Sequence, residues 1–376
     1  MNELTVSVHD RLDSIDAAQW SALFPNHPDS PELVRLTADC GMDGFAFHSI
    51  VVRRGNEPIL LLPLFDARFR LASLLDGMIA GIVGALPLIS SPRLLGVGIV
   101  EGEWGQVGCA TGADAAAWKL AIDALWNLAK KKRASLLVFL NFTPEAAAAL
   151  PYEFSRRLAR IDTIPCAHLP IDFATPDEYQ SRLSKNMRKD LRRKLAAAGD
   201  VRIERPRSPD PWLDYICDLY VETIRRAPLS LGIQRKDFFR RVAGEVPGAH
   251  YVLYFKDERL LAFNLLIERS GALIDKYFCM DLEAGRLNNL YFVSWMENVR
   301  YCCEKRLKTY HAGPGAEATK ARLGAQFIPS ITMFRHRIAP VHGVLRLLRP
   351  LIAYKPAITL TAGAGADGGA GENLTQ

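Results

Sequence analysis

The sequence predicts an α/β protein built as two tandem units, each a mixed, mostly antiparallel sheet flanked by helices. Three observations carry that prediction. The chain has 376 residues, enough for two globular units of roughly 100–200 residues each. Apolar residues make up 49% of it and charged residues 23%, the balance of a chain that folds around a core. Finally, one order of hydrophobic periods, strand, helix, helix, hairpin, strand, helix, strand, helix, strand, runs along the chain twice.

In the first half, residues 5–9 alternate as a strand does, and helical spacing follows at 15–23 and 31–39. Apolar runs at 45–53 and 58–65 flank Gly55-Asn56, a turn pair suited to a hairpin. A Gly-rich apolar insertion then precedes a predicted strand at 103–110. The long helix predicted at 113–131 ends in Lys130, Lys131, Lys132 and Arg133, cations that complement a helix C-terminus. A strand at 135–140, a short helix at 144–150 and a strand at 153–160 close the unit. The second half reads as strand 167–173, helices 176–198, 211–226 and 235–243, a hairpin of 249–255 and 260–268, and strand 272–281. Helix 287–305, strand 309–312, short helix 315–323 and strand 327–335 complete it. The expected units are residues 1–162, with the apolar insertion at about 70–102, and residues 163–354. The Gly/Ala-rich tail 355–376 reads as disordered.

The uncharged run GMIAGIVGALPLISSP at 77–92 is shorter than the roughly 18–20 residues that span a bilayer. It reads as a buried loop, a lining for an apolar ligand, or a shallow membrane contact. The net charge of +6 favours anionic partners. Seven cysteines, odd in number and without a C-x-x-C pair, predict free thiols in a reducing compartment and no zinc site. No basic stretch followed by an apolar one opens the chain, so a cytoplasmic protein is expected, with the inner membrane face as the place for a peripheral contact. The sequence carries no esterase G-x-S-x-G, zinc-binding H-E-x-x-H, Walker loop or dinucleotide G-x-G-x-x-G after a strand. No metal ligands are proposed.

Two segments carry a family resemblance. SRLSKNMRKDLRRKLAAAG (181–199) and YHAGPGAEATKARLGAQF (310–327) resemble the basic helix and the final strand–loop–helix of the tandem FemAB/CelD-like (BioF2-like) branch of GNAT acyltransferases. The resemblance covers residues 1–350 as a pattern of elements and is motif-specific in the second half. It implies a second unit whose fourth and fifth strands splay apart, with acyl-CoA as co-substrate and no permanently bound cofactor. The pantetheine would lie in that gap and the pyrophosphate at the next helix start. It further implies direct transfer of the acyl group to an amine or hydroxyl acceptor, in cell-envelope, polysaccharide or lipid metabolism. FemAB relatives use aminoacyl-tRNA as donor, which is the alternative enzyme reading. A third is a non-catalytic protein that binds a lipid or envelope precursor. One departure stands out: the Arg/Gln-x-x-Gly-x-Gly/Ala loop of single-domain GNAT enzymes is represented only by Gly285.

Candidate residues follow from placement. Arg286, Asn288 and Asn289 precede helix 287–305 or open it, where free N–H groups favour an anion such as a pyrophosphate; an ordinary helix cap is the competing reading. Strict alternation along 272–281 puts Asp275, Tyr277, Cys279 and Asp281 on one face. Tyr277 and Asp281 are candidates to meet the acceptor, against a structural pairing of Asp275 with a neighbouring lysine. His311 ends a strand, where α/β proteins place catalytic groups, and is the candidate base; a structural histidine is the alternative. By the resemblance, Lys320, with Arg322 beside it, contacts donor or substrate phosphate; otherwise it is a solvated lysine. In helix 176–198, Leu183, Met187, Leu191 and Leu195 form an apolar seam. Arg188, Lys189 and Arg192 on the remaining surface are candidates for tRNA, anionic lipid or a polyanionic acceptor, or simply a solvated face.

Overall fold

The computed structural model describes residues 3–25, 27–68, 92–226 and 232–355. The apolar run at 77–92, except Pro92, and the tail from residue 356 lie outside the described residues.

The first half holds β1 (Leu4–His9), α1 (Ala17–Leu23), α2 (Pro31–Cys40), the hairpin β2 (Phe45–Arg54) and β3 (Glu57–Arg68), then β4 (Arg93–Val97) and β5 (Gly108–Cys109). It continues with α3 (Ala115–Lys131), β6 (Leu136–Phe142), α4 (Pro144–Ala148), α5 (Tyr152–Ser155) and β7 (Ala159–Pro170). The second half holds α6 (Pro176–Arg182), α7 (Lys185–Ala198), β8 (Arg202–Glu204), α8 (Leu213–Arg226), α9 (Lys236–Glu245), and the hairpin β9 (Ala249–Lys256) and β10 (Arg259–Arg269). It ends with β11 (Ala272–Met280), α10 (Leu282–Leu287), α11 (Leu290–Lys305), β12 (Thr309–Gly313), α12 (Glu317–Arg322), β13 (Gln326–His336), α13 (Ala339–Leu347) and α14 (Arg349–Ile352). No helix among the described residues is long and apolar enough to cross a membrane.

Both halves share one sheet, ordered β1-β2-β3-β4-β6-β13-β7-β12-β11-β10-β9-β8. Read from either edge the order is the same, and at the centre the two copies exchange their last strands. β13 pairs antiparallel with β6 of the first half, and β7 pairs antiparallel with β12 of the second. β7 and β13 also pair with each other. Each copy's sheet is therefore completed by the other.

Alternation along the strands builds a core on each face. In the first half, Leu60, Leu62, Leu95 and Phe139 pack under α3 with Leu125, while Leu61, Phe65, Leu94 and Val138 line the opposite face with Trp20 and Phe24 of the α1 region. In the second, Tyr251, Leu253 and Phe263 pack under α8 and α9, and Val252, Tyr254 and Ala262 under α11. Helix starts are capped as their sequences dictate: Ser30 Oγ accepts the Leu33 N–H at 3.1 Å and Asp114 Oδ1 the Ala117 N–H at 2.9 Å.

Several elements differ from the sequence reading. The strand expected at 103–110 is β4, ten residues earlier, where it abuts the apolar run and shows no separating pattern; only Gly108–Cys109 of the expected segment pairs with β3. The strands expected at 153–160 and 167–173 are one strand, β7, preceded by the helical turn α5. Its pairing with β13 shifts register between Ile328↔Cys166 and Ser330↔Thr163, the stretch that holds Pro165 and Pro329, and a bulge is where a strand tolerates a residue lacking an N–H. Helix 176–198 breaks at Leu183-Ser184, where Ser184 Oγ accepts the Met187 N–H at 3.2 Å and caps α7. The seam of that helix is nonetheless buried at Leu183, Met187 and Leu191. β8, three residues long, carried too little pattern to be read; it pairs with β9 as β1 does with β2.

The segment between β4 and β5 is held close to β6. Gly105 donates its N–H to the Asn141 carbonyl at 2.8 Å, and a Cβ at Gly105 would lie 1.9 Å from the Leu140 carbonyl oxygen. Gly105→Ala is expected to destabilise the protein by about 1–3 kcal/mol, the usual range for forced overpacking. Urea denaturation should show a lower midpoint at an unchanged slope.

Candidate active site

β11 and β12 run parallel and pair only at Ala272↔Thr309, Leu273↔Tyr310 and Ile274↔His311. Beyond Ile274 the strands diverge, so the β12-facing edge of Asp275–Met280 has no strand partner. The corresponding first-half pair, β4 and β6, stays together from Leu94↔Leu136 to Val97↔Phe139. The opening thus belongs to the second half. A cavity of about 1040 Å³ occupies it, lined by β11, α11, β12 and the 314–316 loop, and by residues 101–103 of the first half.

A β-bulge decides which side chains meet there. Opposite β10, Tyr277 pairs with Leu265 and Asp275 with Leu266, leaving Lys276 as the extra residue. The bulge shifts the alternation by one, so Asp275 turns toward α11 while Tyr277 and Cys279 turn toward α8 and α9. Strict alternation had put all three on one face, and the extra residue is why it failed. Asp281 lies past the strand end. It accepts the Ala284 N–H at 2.8 Å as cap of α10 and pairs with Arg259 at 2.6 Å, so it caps a helix instead of facing the cavity.

Lys276 is only 5% exposed in its side chain, and its ammonium points into the first half. It donates to the Glu101 carbonyl and lies 3.5 Å from Asp29 Oδ1. Burial pulls the Lys276 pKa down, but Asp29, Glu103 and Glu101 outweigh it, and the ammonium is held above its ordinary value. Glu101 sits at φ +57°. Its carboxylate accepts from the Tyr277 hydroxyl and from Gln234 Nε2 at 3.1 Å, while burial raises its pKa. Asp29 Oδ2 accepts the Glu103 N–H at 2.8 Å. Glu103 is buried, and its Oε2 has no hydrogen-bond partner. Burial pushes its pKa up to about 7, with Asp29 and Asp275 adding to the rise and Lys276 and Lys320 opposing it.

On the other face, Asp275 accepts from Asn264 Nδ2 at 2.8 Å, Tyr310 OH at 3.0 Å and Asn298 Nδ2 at 3.2 Å. Burial still raises its pKa to about 6 against those bonds. Lys320 is 5% exposed and donates to the carbonyls of Ala312 at 2.7 Å, Gly313 at 3.0 Å and Pro314 at 3.0 Å. Burial lowers its pKa to about 8. It is a buried clamp on the loop after β12, neither a solvated lysine nor, with those three carbonyls filling its donors, a ready phosphate ligand.

The remaining sequence candidates lie around this centre. Of the residues expected to act, Tyr277 and Lys320 line the cavity. His311 packs its ring 5.8 Å from Trp104 and 6.3 Å from His168, tilted against both, with burial lowering its pKa to about 4, so near neutral pH it is an uncharged, packed ring. Arg286 is exposed, and Asn288 Nδ2 is used by the Ala284 carbonyl at 2.8 Å. Asn289 precedes α11 at φ +52° without a side-chain cap bond. Arg322 lies 3.5 Å from Asp190 on the surface. Arg188 folds back onto the carbonyls of Ser181 at 2.6 Å and Leu183 at 2.8 Å, whereas Lys189 and Arg192 are exposed.

Sequence reasoning missed Asp29, Glu101, Glu103, Asn264 and Asn298. Polar residues inside apolar elements were the available signal for the amides, Asn264 in LLAFNLLIE and Asn298 four residues after Ser294 on α11. For the first-half carboxylates no local signal exists, because their meaning arises only when the halves meet.

Residues 181–321 match a family model described as an acetyltransferase (GNAT) domain. No curated protein matches the sequence. Solved structures do resemble it. FemX is 13% identical and aligns over 88% of this chain and 98% of its own, with a TM-score of 0.55. A tandem GNAT protein from the clavulanic acid biosynthesis pathway is 14% identical over 89% and 98%, at 0.55. The C-terminal domain of a putative lysylphosphatidylglycerol synthetase from Agrobacterium fabrum is 13% identical over 88% and 94%, at 0.51. At such identities what is shared is the fold. Residues 181–321 thus match a GNAT acetyltransferase domain, and the chain as a whole shares the fold of FemX and of a tandem GNAT protein.

Proposed function

We propose that the protein transfers an acyl group from acyl-CoA to an amine or hydroxyl acceptor at the opening between β11 and β12, with Glu103 as general base. The observation that carries this reading is a buried carboxyl with an unpartnered oxygen on the wall of the cavity where β11 loses its strand partner. An unpaired buried oxygen is unfavourable unless a ligand completes it, and a carboxyl whose pKa is near 7 is matched to proton transfer at neutral pH.

In this reading the thioester carbonyl lies against the unpaired edge of β11, whose N–H groups polarise it without reorganising. The acceptor nitrogen or oxygen attacks the carbonyl carbon and gives its proton to Glu103. The tetrahedral intermediate collapses, the C–S bond breaks, and CoA leaves as a thiolate that takes up a proton. No covalent enzyme intermediate forms, and positioning supplies much of the acceleration. Lys276 and Asp29 position Glu103, and Lys320 holds the end of β12 and Pro314 beyond it, the β12 side of the opening. An envelope, polysaccharide or lipid acceptor remains the expected class.

A base must be unprotonated to act. With Glu103 near 7, the rate is expected to rise with pH through about 7 and then level off. Glu103→Gln should lower kcat by about 10²–10⁴-fold and remove that limb. Thiol release from acyl-CoA across a pH series measures both; a variant with the parental rate and limb would exclude Glu103 as the base.

The exposed Lys189 and Arg192 on α7 favour a second reading, an aminoacyl-tRNA donor. It predicts tRNA affinity that falls steeply with salt, with a shallower slope after Lys189→Gln and Arg192→Gln. Filter binding over a salt series decides it, since absent or salt-indifferent binding removes the tRNA donor.

A further inference from the structure

The cavity does not end at the carboxylates. From the opening it extends across the face of the first-half sheet under α13 and α14, and there its walls are apolar: Leu94 of β4, Leu136 and Val138 of β6, Ile161 of β7, Phe334 of β13 and Leu345 of α13. The charged residues on this arm, Asp162 and Lys355, are exposed, and its buried polar groups are turned to backbone. Thr332 Oγ1 accepts the Asn141 N–H at 3.1 Å, and His336 Nδ1 accepts the Ile338 N–H at 3.1 Å, with burial lowering the His336 pKa. Leu351 of α14 lines the cavity and is 44% exposed, so the arm reaches the surface at that helix.

Interiors are close-packed, and voids larger than a water molecule are few. A cavity of about 1040 Å³ is at the upper end of ligand pockets, and water gains little from aliphatic walls that offer it no partners. We infer that this arm is a binding site for a long alkyl chain, joined at its polar end to the group that reacts beside Glu103. The inference rests on the acyltransferase reading for the meaning of that end, and it narrows the substrate class to long-chain, lipid-like compounds. An alkyl chain can arrive as the fatty acyl group of the donor or as the tail of an amphiphilic acceptor.

Isothermal titration of the whole chain separates these sources. One series runs from acetyl-CoA to palmitoyl-CoA, and a second runs through alkylamines of increasing length with CoA present, all below their micelle concentrations. Burial of a methylene contributes about 0.8 kcal/mol, or about fourfold in affinity. Affinity is expected to climb by about that factor per methylene until the arm is full. Val138→Trp, which fills the arm from β6, should shorten the climb while acetyl-CoA binding holds. A climb in the CoA series assigns the chain to the donor, and a climb confined to the amines assigns it to the acceptor. If both series are flat while acetyl-CoA binds, the alkyl site is wrong and the acyltransferase reading stands. If the amines climb and no CoA thioester binds, the arm stands and the acyl-CoA donor falls. Absence of binding throughout overturns both. The parental series decides without the variant, should Val138→Trp fail to fold.

Discussion

Lys276 occupies a β-bulge with its ammonium buried between the two halves. An ion removed from water there is disfavoured by roughly several kcal/mol unless opposite charge and hydrogen bonds surround it. The second half offers it none; its partners, Asp29 and the Glu101 carbonyl, belong to the first. The site therefore exists only when both halves are folded against each other, and the same contact that neutralises Lys276 brings Glu103 to the cavity wall.

Two further features make that meeting dependable. The exchange of β7 and β13 leaves neither sheet complete alone, so the halves cannot slide without breaking ladder pairs on both sides. On the far face, Asp275 ties β11 to β12 and α11 through Asn264, Tyr310 and Asn298. These bonds lie at the point where the strands begin to part, and they fix β11 against its neighbours at the root of the opening. Four carboxyls (Asp29, Glu101, Glu103, Asp275) and two ammoniums (Lys276, Lys320) share the space, and burial holds Glu103 and Asp275 near neutrality. Protons are thereby kept at the reacting end of the cavity, while the other end is apolar.

How much was legible in advance differs by level. The repeated order of elements, the hairpins and the long helix α3 follow from periodicity, because each is written in a contiguous stretch, whereas the second-half opening was what the family resemblance implied. Tyr277 and Lys320 were read as site residues and do line the cavity, yet what each side chain does there was not readable. Lys320 was read as a contact for donor or substrate phosphate, and a short helix gives no sign that its ammonium is folded back on three carbonyls. The faces of β11 were misassigned because one inserted residue inverts an alternation, and a bulge leaves no mark in composition. His311 was read as ending a strand but lies in the middle of β12, and only the packed structure turns its ring toward Trp104 and His168.

By itself the amino-acid sequence determined a duplicated α/β scaffold and the local elements of each copy, since helix and strand periods and caps act over a few residues. Tertiary structure alone decided that the copies swap their final strands and that Asp29 and the Glu101 carbonyl, the latter 175 residues from Lys276, become its partners. Those outcomes turn on the pairing of buried charges and unpaired strand edges across the chain, interactions whose strength depends on distance in space and leaves no trace in spacing along the sequence.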